Sequence, residues 1–252
     1  MMAAPLPISV CLVVKNEAER VAKSIAPFKG RVAEILAYDN GSTDGTQSLL
    51  RNMGVTVVEG PWLGFSKTRK ALWSMARQDW ILWLDADEIF HGETIRVLEG
   101  IDKDIGIAGC KICRQVVFEG RKIKHGDWFP DWVLRVFNKN NFSMQDRLVH
   151  ESVEVKGPVL ALPGIVEHYS FRSWEDLEKR SEKYALLWAQ QAFAEKKRPG
   201  SPWLHAAWKF FRGFILKSGW LDGPLGFRIA LQNAREVHSK YRQLEELSRN
   251  KG

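Results

Sequence analysis

Short apolar runs alternate with helix-like segments over residues 1–90. Continuous apolar and β-branched stretches, typical of buried strands, occur at residues 8–14, 32–38, 55–58 and 80–84. Helical spacing of apolar residues falls between them, at residues 17–28, through Leu49 and Leu50, and at residues 66–77. This alternation predicts a doubly wound α/β sheet, in which ligands bind at the carboxyl ends of the strands.

The pattern changes after residue 90. A helix-like stretch at residues 93–98 precedes β-like runs at residues 107–117, 132–137 and 148–155, which Gly, Asn and Pro interrupt. These runs predict an antiparallel or mixed extension of the sheet. We therefore expect one domain over residues 1–172, with halves at 1–90 and 91–172.

Residues 173–252 are predicted to form a separate helical region. The spacing of Ser173 and Asp176 matches a capping box, which opens a helix to about residue 196. Two prolines and a glycine at residues 199–202 break that helix. Further helices are predicted at residues 203–217 and 225–247.

Charge is distributed unevenly along the 252 residues. The formal net charge is +7, but residues 196–252 carry +8 and residues 1–195 carry −1. The partner of such a basic region could be nucleic acid, an anionic membrane surface or an anionic substrate. We expect no nucleic-acid partner, because no recognition motif accompanies the charge.

The predicted helix at 203–217 separates apolar from basic residues. One broad face of its helical wheel gathers Trp203, Leu204, Ala207, Trp208, Phe210, Phe211, Phe214 and Ile215. His205, Lys209 and Arg212 lie opposite. This arrangement is typical of a helix at the surface of an anionic membrane. A helix that packs on the core, or one that forms a dimer contact, would show the same pattern.

Several classes of protein are excluded by what the sequence lacks. No apolar run approaches the roughly 18 residues of a membrane-spanning helix, and residues 1–7 show no signal-peptide pattern, which favours a cytoplasmic location. Neither a G-x-G-x-x-G fingerprint nor a Walker P-loop is present. The three cysteines are interpreted as small apolar residues, since Cys110 and Cys113 lie three apart in a β-like segment and point to opposite faces.

Acidic residues follow the fourth predicted strand. Asp85, Asp87 and Glu88 come directly after a buried hydrophobic run, so their carboxylates meet at the ligand-binding edge of the sheet. Packed like charges are costly unless a cation joins them, and Mg²⁺ or Mn²⁺ takes oxygen ligands together with substrate phosphates. A solvated helix N-cap would show the same D-x-D spacing.

Further polar groups follow the first two strands. Asp39 opens a segment rich in Gly, Ser and Asp at residues 39–46, where a carboxylate can accept hydrogen bonds from a nucleobase or a ribose. A plain Asx-turn that caps the next helix would also fit this segment. Glu17, after the first strand, adds another acidic group at the same edge.

The order of these segments resembles a known family. Residues 10–18 (VCLVVKNEA), 39–46 (DNGSTDGT) and 85–88 (DADE) are together similar to the N-terminal half of family 2 glycosyltransferases, inverting enzymes of the GT-A fold. The resemblance extends to the branch that includes bacterial lipopolysaccharide-core β-1,4-glucosyltransferases. Three further segments carry that extension, at residues 132–137, 150–153 and 168–170.

The resemblance implies a GT-A fold: a Rossmann-like nucleotide-binding half at 1–90, a mixed-sheet acceptor half at 91–172, and C-terminal helices. It implies that Glu17 and Asp39 contact the uridine of a nucleotide sugar and that Asp85 holds the ribose or the sugar. Asp87 would bind the metal on the diphosphate, and Arg69 would contact phosphate. Many family members have proline and an aromatic residue in place of Val13 and Lys15.

An inverting transfer needs a carboxylate that accepts the proton of the acceptor hydroxyl. Glu151, in a strand-like segment far from the D-x-D, is our candidate base, and the resemblance supports it. Glu154 and Asp146 are local competitors. A surface residue paired with Arg147 would give the same pattern as a base at this position.

His168 follows an apolar run at residues 160–166. GT-A enzymes often complete their metal site with a C-terminal histidine, so the resemblance makes His168 a candidate metal ligand. A hydrogen-bonded structural histidine is the alternative.

The sequence thus favours a metal-dependent inverting glycosyltransferase that uses a UDP-sugar, with Mg²⁺ or Mn²⁺ as cofactor. The expected acceptor is a membrane glycolipid, the lipopolysaccharide inner core, reached from the cytoplasmic face of the membrane through residues 203–217, and the expected sugar is a hexose, glucose. The alternatives are the same fold acting on a polyprenyl phosphate or a protein, and a sugar-nucleotide-binding protein without turnover.

Overall fold

The computed structural model describes residues 4–99, 101, 106–145 and 152–249. The chain divides into two compact units. Among the described residues, the first comprises those up to residue 114 together with 132–145 and 152–168, and the second comprises residues 115–131 and 169–249.

Strands and helices alternate in the N-terminal part as the sequence predicts. The strands are β1 Leu6–Val14, β2 Val32–Asp39, β3 Thr56–Glu59, β4 Trp80–Trp83, β5 Glu88–Ile89, β6 Gly109–Phe118, β7 Arg121–Lys122, β8 Asp131–Asn138, β9 Phe142–Gln145, β10 Ser152–Val155 and β11 Val159–His168. The helices are α1 Val21–Ile25, α2 Thr46–Asn52, α3 Phe65–Met75, α4 Gly92–Arg96, α5 Trp174–Ala194, α6 Pro202–Phe211 and α7 Gly223–Arg249.

The main sheet of the first unit has the strand order β3-β2-β1-β4-β8-β6-β11-β5 among the described residues. Strand β1 pairs in parallel with β2 and β4, and β2 pairs in parallel with β3. Strand β4 pairs antiparallel with β8, where the mixed half begins. The predicted α/β fold, parallel in its first half and mixed in its second, is confirmed, and the segments after β1, β2 and β4 meet at one edge.

Buried apolar side chains cover both faces of this sheet. Val10 and Leu12 of β1 face one cluster and Cys11 faces the other, as the two-residue repeat of a strand requires. On the second face, the ring of Trp73 in α3 packs against that of Phe137 in β8, with ring centroids 4.8 Å apart. The three cysteines are buried and form no disulfide among the described residues, as the sequence predicts.

Helix α1 is shorter than the span predicted at residues 17–28. The backbone amide of Glu17 donates to Oγ1 of Thr46 at 2.9 Å, and that of Ala18 donates to Oδ2 of Asp44 at 3.1 Å. Because these bonds fix the first residues as a turn, the helix begins only at Val21.

Strand β11 contains the apolar run at residues 160–166, which was not assigned to a strand from the sequence. This run includes Pro163 and Gly164, residue types that weaken a strand signal. Gly164 has φ 99°, and a Cβ there would lie 2.8 Å from Oγ1 of Thr94. The strand therefore passes close to α4 at a position that requires glycine.

The second unit combines the β6–β7 hairpin with helices α5, α6 and α7. Oγ of Ser173 accepts a hydrogen bond from the amide of Asp176 at 3.2 Å, which confirms the predicted cap of α5. Residues 212–216 continue α6 as a π-helical turn. The core of this unit contains Phe118, Ile123, Leu177, Leu225 and Ile229.

Candidate active site

The acidic turn at residues 85–88 is held by arginines of two strands. Glu88 is fully buried, and its Oε1 accepts hydrogen bonds from Nε of Arg135 in β8 at 3.1 Å and Nη1 of Arg114 in β6 at 3.2 Å. Arg135 also pairs with Asp85. Burial alone would lower the pKa of the Arg135 guanidinium, but the charges of Asp85 and Glu88 raise it, so the turn is built around a permanent cation.

Protein contacts orient both oxygens of Asp85. Nε1 of Trp83 donates to Oδ1 of Asp85 at 3.0 Å, and Arg135 pairs with Oδ2. The ring of Trp83 also contacts two guanidinium groups, that of Arg69 at 3.9 Å from its centroid and that of Arg135 at 4.4 Å. The carboxylate of Asp85 is therefore fixed at the end of β4.

Asp87, in the same acidic turn, lies next to His168 at the end of β11. Oδ1 of Asp87 is 3.5 Å from Nε2 of His168, because β11 pairs with β5 and sets His168 opposite Glu88. Burial would raise the pKa of Asp87, but the hydrogen bond and charge of His168 and the charge of Arg20 lower it below its usual value. Asp87 is therefore ionised at neutral pH.

Asp39 is wholly buried at the end of β2. Its Oδ1 accepts hydrogen bonds from the amides of Gly41 at 3.0 Å and Ser42 at 2.9 Å and from Nε2 of Gln47 at 2.7 Å. Burial would raise the pKa of Asp39, but these bonds lower it. Oδ2 of Asp39 is buried and has no hydrogen-bond partner among the described residues.

A cavity of about 490 Å³ opens at the carboxyl ends of β1, β2 and β4. We call it the sheet-edge cavity. It is lined by Val13, Val14, Lys15, Glu17, Asn40, Trp62, Arg69, Asp85, Ala86, Asp87, Arg114 and His168.

The structure brings together most of the residues that the sequence singles out. Five of them line the sheet-edge cavity: Glu17, Arg69, Asp85, Asp87 and His168. Asp39 lies beneath the neighbouring loop and does not line the cavity itself, whereas Asn40 does.

Five residues near this site, Lys15 of the cavity lining among them, were not assigned a role from the sequence. Arg114 and Arg135 hold the acidic turn, and Asn40 and Trp62 line the cavity. Arg135 carries a signal in retrospect, because a charge inside an otherwise apolar strand requires a buried partner. Trp62 follows β3, which ends at the same edge as β2.

The candidate base lies outside the described residues. Glu151, its competitor Asp146 and the neighbouring Arg147 all fall in residues 146–151, so the role of Glu151 stays a prediction. The second competitor, Glu154, is exposed on β10, opposite Ser143 of β9.

Among the described residues, no group of three or more His, Cys, Asp and Glu side chains is arranged to hold a metal ion. Asp87 and His168 can supply two ligands. Mg²⁺ usually takes one or two carboxylates from the protein and completes its shell with water and substrate phosphates. This donor set therefore fits a metal that binds together with a phosphorylated substrate.

Helix α6 exposes the apolar side that the helical wheel predicts. Trp203 and Leu204 are 74% and 73% exposed, and Trp208 and Phe211 are also exposed. We call these four residues the apolar face of α6. Within the part of the chain that the structure describes, no helix is long and apolar enough to cross a bilayer.

The basic side of α6 and the following turn faces a buried carboxylate. Lys209, Arg212 and Lys217 lie 2.9, 2.9 and 3.0 Å from oxygens of Asp127, whose side chain is 5% exposed. Burial would raise the pKa of Asp127, but hydrogen bonds and charge from Lys209 and Lys217 lower it. Lys209 and Arg212, expected to face an anionic surface, are therefore engaged with Asp127 within the second unit, together with Lys217.

Comparison with known proteins is consistent with this geometry. The model of glycosyl transferase family 2 matches residues 9–156. An uncharacterised glycosyltransferase of Rickettsia typhi is 29% identical over 262 residues, which cover 96% of this chain and 89% of the relative. The lipopolysaccharide core biosynthesis glycosyltransferase LpsC of Rhizobium meliloti is 24% identical, with 95% of each chain covered.

A solved structure also resembles part of the chain. It is glucosyl-3-phosphoglycerate synthase from Mycobacterium tuberculosis in complex with Mn²⁺, UDP-glucose and phosphoglyceric acid. The TM-score is 0.38 at 24% sequence identity, and the match covers 42% of this chain and 43% of that chain.

Proposed function

Because this chain belongs to glycosyl transferase family 2, we propose that it transfers a hexose, glucose, from a UDP-sugar to a membrane glycolipid of the lipopolysaccharide inner core. The family match makes the chain a glycosyltransferase. The donor, the metal and the acceptor are what the proposal adds.

The sheet-edge cavity is the observation that carries the donor assignment. Asp85 and Asp87 line it together with three basic residues, Lys15, Arg69 and Arg114. A diphosphate needs cations around it, and a carboxylate can share a divalent metal with it. The cavity therefore has the charges that a nucleoside diphosphate sugar requires.

The order of the strands indicates how the nucleotide sugar would be oriented along the edge of the sheet. The acidic turn follows β4, whereas Asp39 ends β2 and Trp62 follows β3, which lies three strand positions from β4 in the sheet. At the usual spacing of strands this is about 14 Å, the span of an extended nucleoside diphosphate. The diphosphate would lie near β4 and the uracil near Asp39 and Trp62.

Asp87 and His168 are the residues that would hold the metal. When bound, a divalent cation neutralises the charge that develops on the leaving diphosphate. Asp85, fixed by Trp83 and Arg135, would orient the ribose or the sugar. Arg69 and Arg114 would bind phosphate oxygens.

The reaction is a single displacement. The oxygen of the acceptor hydroxyl forms a bond to the anomeric carbon, and the bond from that carbon to the β-phosphate oxygen breaks with its electron pair. Glu151 would take the hydroxyl proton, and attack opposite the leaving group inverts the anomeric centre.

Two observations support a membrane glycolipid as the acceptor. The name of LpsC assigns that relative to lipopolysaccharide core biosynthesis, and the match covers 95% of each chain. The apolar face of α6 presents two tryptophans, a residue type enriched at membrane interfaces. The enzyme would act as a peripheral protein at the inner face of the cytoplasmic membrane.

The direct test measures UDP release from UDP-glucose, with truncated lipopolysaccharide as acceptor and Mn²⁺ or Mg²⁺ present. Release should require both the metal and the acceptor. Parallel reactions offer a polyprenyl phosphate or a protein acceptor and other UDP-sugars. Release that needs no metal, or that only those other acceptors support, would contradict the proposal.

A further inference from the structure

A second cavity, of about 580 Å³, opens in the second unit beside the β6–β7 hairpin. Arg121, Lys122 and Lys124 line it, and all three are exposed. We call it the basic cavity. None of its residues takes part in the donor site described above.

The basic cavity has an excess of positive charge. Asp222 is the single carboxylate among the described residues that line it. The amide of His125 donates to Asp222 at 2.9 Å, the amide of Lys124 donates at 3.2 Å, and Nδ1 of the His125 ring lies 3.0 Å away. The carboxylate of Asp222 is thus engaged with the hairpin backbone and is outnumbered by the three cations.

Exposed apolar side chains border this positive charge. Leu221 lines the basic cavity and is 52% exposed, and the adjacent Trp220 is 54% exposed. A free phosphate ion would gain nothing from an apolar border. A phospholipid would, because its phosphate lies at the depth where tryptophan and leucine enter the interface.

We propose that the basic cavity binds the headgroup phosphate of an anionic phospholipid while Trp220 and Leu221 enter the bilayer interface. The inference rests on the proposed membrane association and locates its electrostatic part. It assigns the electrostatic attraction to the membrane to the basic cavity rather than to Lys209, Arg212 and Lys217, which pair with Asp127.

The test is flotation of the full chain with vesicles of phosphatidylcholine and phosphatidylglycerol in equal parts, at low salt. The variant Arg121→Gln/Lys122→Gln/Lys124→Gln removes three charges from the cavity. The control Lys179→Gln/Lys183→Gln/Arg198→Gln removes three exposed charges from α5 and the segment after it. Circular dichroism establishes that both variants fold.

The cavity variant should bind these vesicles about 100-fold more weakly than the wild type, whereas the control should bind nearly as the wild type does. The double variant Trp220→Ser/Leu221→Ser should also lose binding. Equal flotation of the wild type and the cavity variant would overturn the inference and leave membrane association intact.

Two further measurements distinguish a lipid site from a free-phosphate site and test membrane association itself. Release of the wild type by inorganic phosphate, but not by chloride of equal ionic strength, would identify a free-phosphate site and overturn the lipid assignment. A wild type that does not float overturns both the inference and the membrane part of the proposed function. UDP release on a soluble acceptor analogue, read in the same preparations, reports the enzyme activity independently.

Discussion

At the scale of single residues, Trp62 is the only Trp, Tyr or Phe among the described residues that line the sheet-edge cavity. Trp62→Ala should raise the KM for the UDP-sugar about tenfold with a smaller change in kcat, because stacking of a base on an aromatic ring contributes about 1–3 kcal/mol. Trp62→Phe should restore most of the affinity. Steady-state kinetics at saturating acceptor measures both.

Trp132 offers a matched control for Trp62. It is exposed to a similar extent, 45% against 44%, and it does not line the cavity. Trp132→Ala should therefore leave the KM for the donor unchanged. An equal rise of KM in the two alanine variants would show that Trp62 does not stack on the donor.

Glu151 carries the prediction about the chemical step. Glu151→Gln keeps the size of the side chain but removes its basicity, so kcat should fall by about two to four orders of magnitude while UDP affinity stays near that of the wild type. Rapid-quench or steady-state assays give the rate. Loss of kcat in Glu154→Gln or Asp146→Asn, with Glu151→Gln active, would reassign the base.

Residue identities predicted the acidic members of the site better than the basic ones. Asp85 and Asp87 can be recognised in the sequence because a cluster of carboxylates directly after a buried strand is uncommon. Arg135 lies 50 residues from Asp85, and their pairing depends on the antiparallel alignment of β4 with β8. No local pattern encodes that alignment.

At the scale of elements, Asp127 anchors helix α6 and the turn that follows it. Asp127→Asn should lower the free energy of unfolding by about 1–2 kcal/mol at neutral pH, because Lys209, Arg212 and Lys217 lose their common carboxylate but stay partly exposed to water. Urea unfolding followed by far-UV circular dichroism measures the loss. Glu178→Gln, an exposed change on α5, should cost little.

The same contact predicts a dependence on pH. The pKa of Asp127 is lower in the folded chain than in the unfolded one, where it is about 4. Its stabilisation is therefore present above about pH 4 and is lost as the pH falls through the folded pKa. The difference between the wild type and Asp127→Asn should narrow in urea titrations below pH 4, and a constant difference would contradict this account.

Periodicity predicted that α6 is amphipathic but not which side turns inward. Apolar residues usually face a core, and that rule would bury Trp203 and Trp208. The structure exposes them, while Phe210 packs against Phe227 of α7 and Lys209 of the basic side pairs with Asp127.

At the scale of the whole molecule, donor binding should be linked to stability. UDP with Mn²⁺ at 100 times its dissociation constant should stabilise the folded enzyme by about 2.7 kcal/mol, which raises Tm by roughly 5–10 °C. Asp87→Ala should abolish the part of this shift that needs the metal. Differential scanning fluorimetry measures it.

Asp79→Ala is the control for that experiment, because Asp79 is exposed and does not line the sheet-edge cavity. Asp79→Ala should show the same increase in Tm with UDP and Mn²⁺ as the wild type. A metal-dependent shift of wild-type size in folded Asp87→Ala would remove Asp87 from the metal site.

The first unit could be predicted more fully than the second. Its strands and helices follow one another locally, so alternation along the chain is enough to indicate the sheet. The second unit joins residues 115–131 with residues 169–252, segments that are far apart in sequence. Its ion cluster and its basic cavity depend on such distant contacts.

The outward apolar face of α6 has a consequence for handling the protein. A net charge of +7 keeps chains apart by repulsion at low ionic strength, and added salt screens that repulsion. Sulfate, which is excluded from protein surfaces, additionally favours association of exposed tryptophan and leucine. We therefore expect ammonium sulfate to precipitate the enzyme at an ionic strength at which sodium chloride still leaves it in solution.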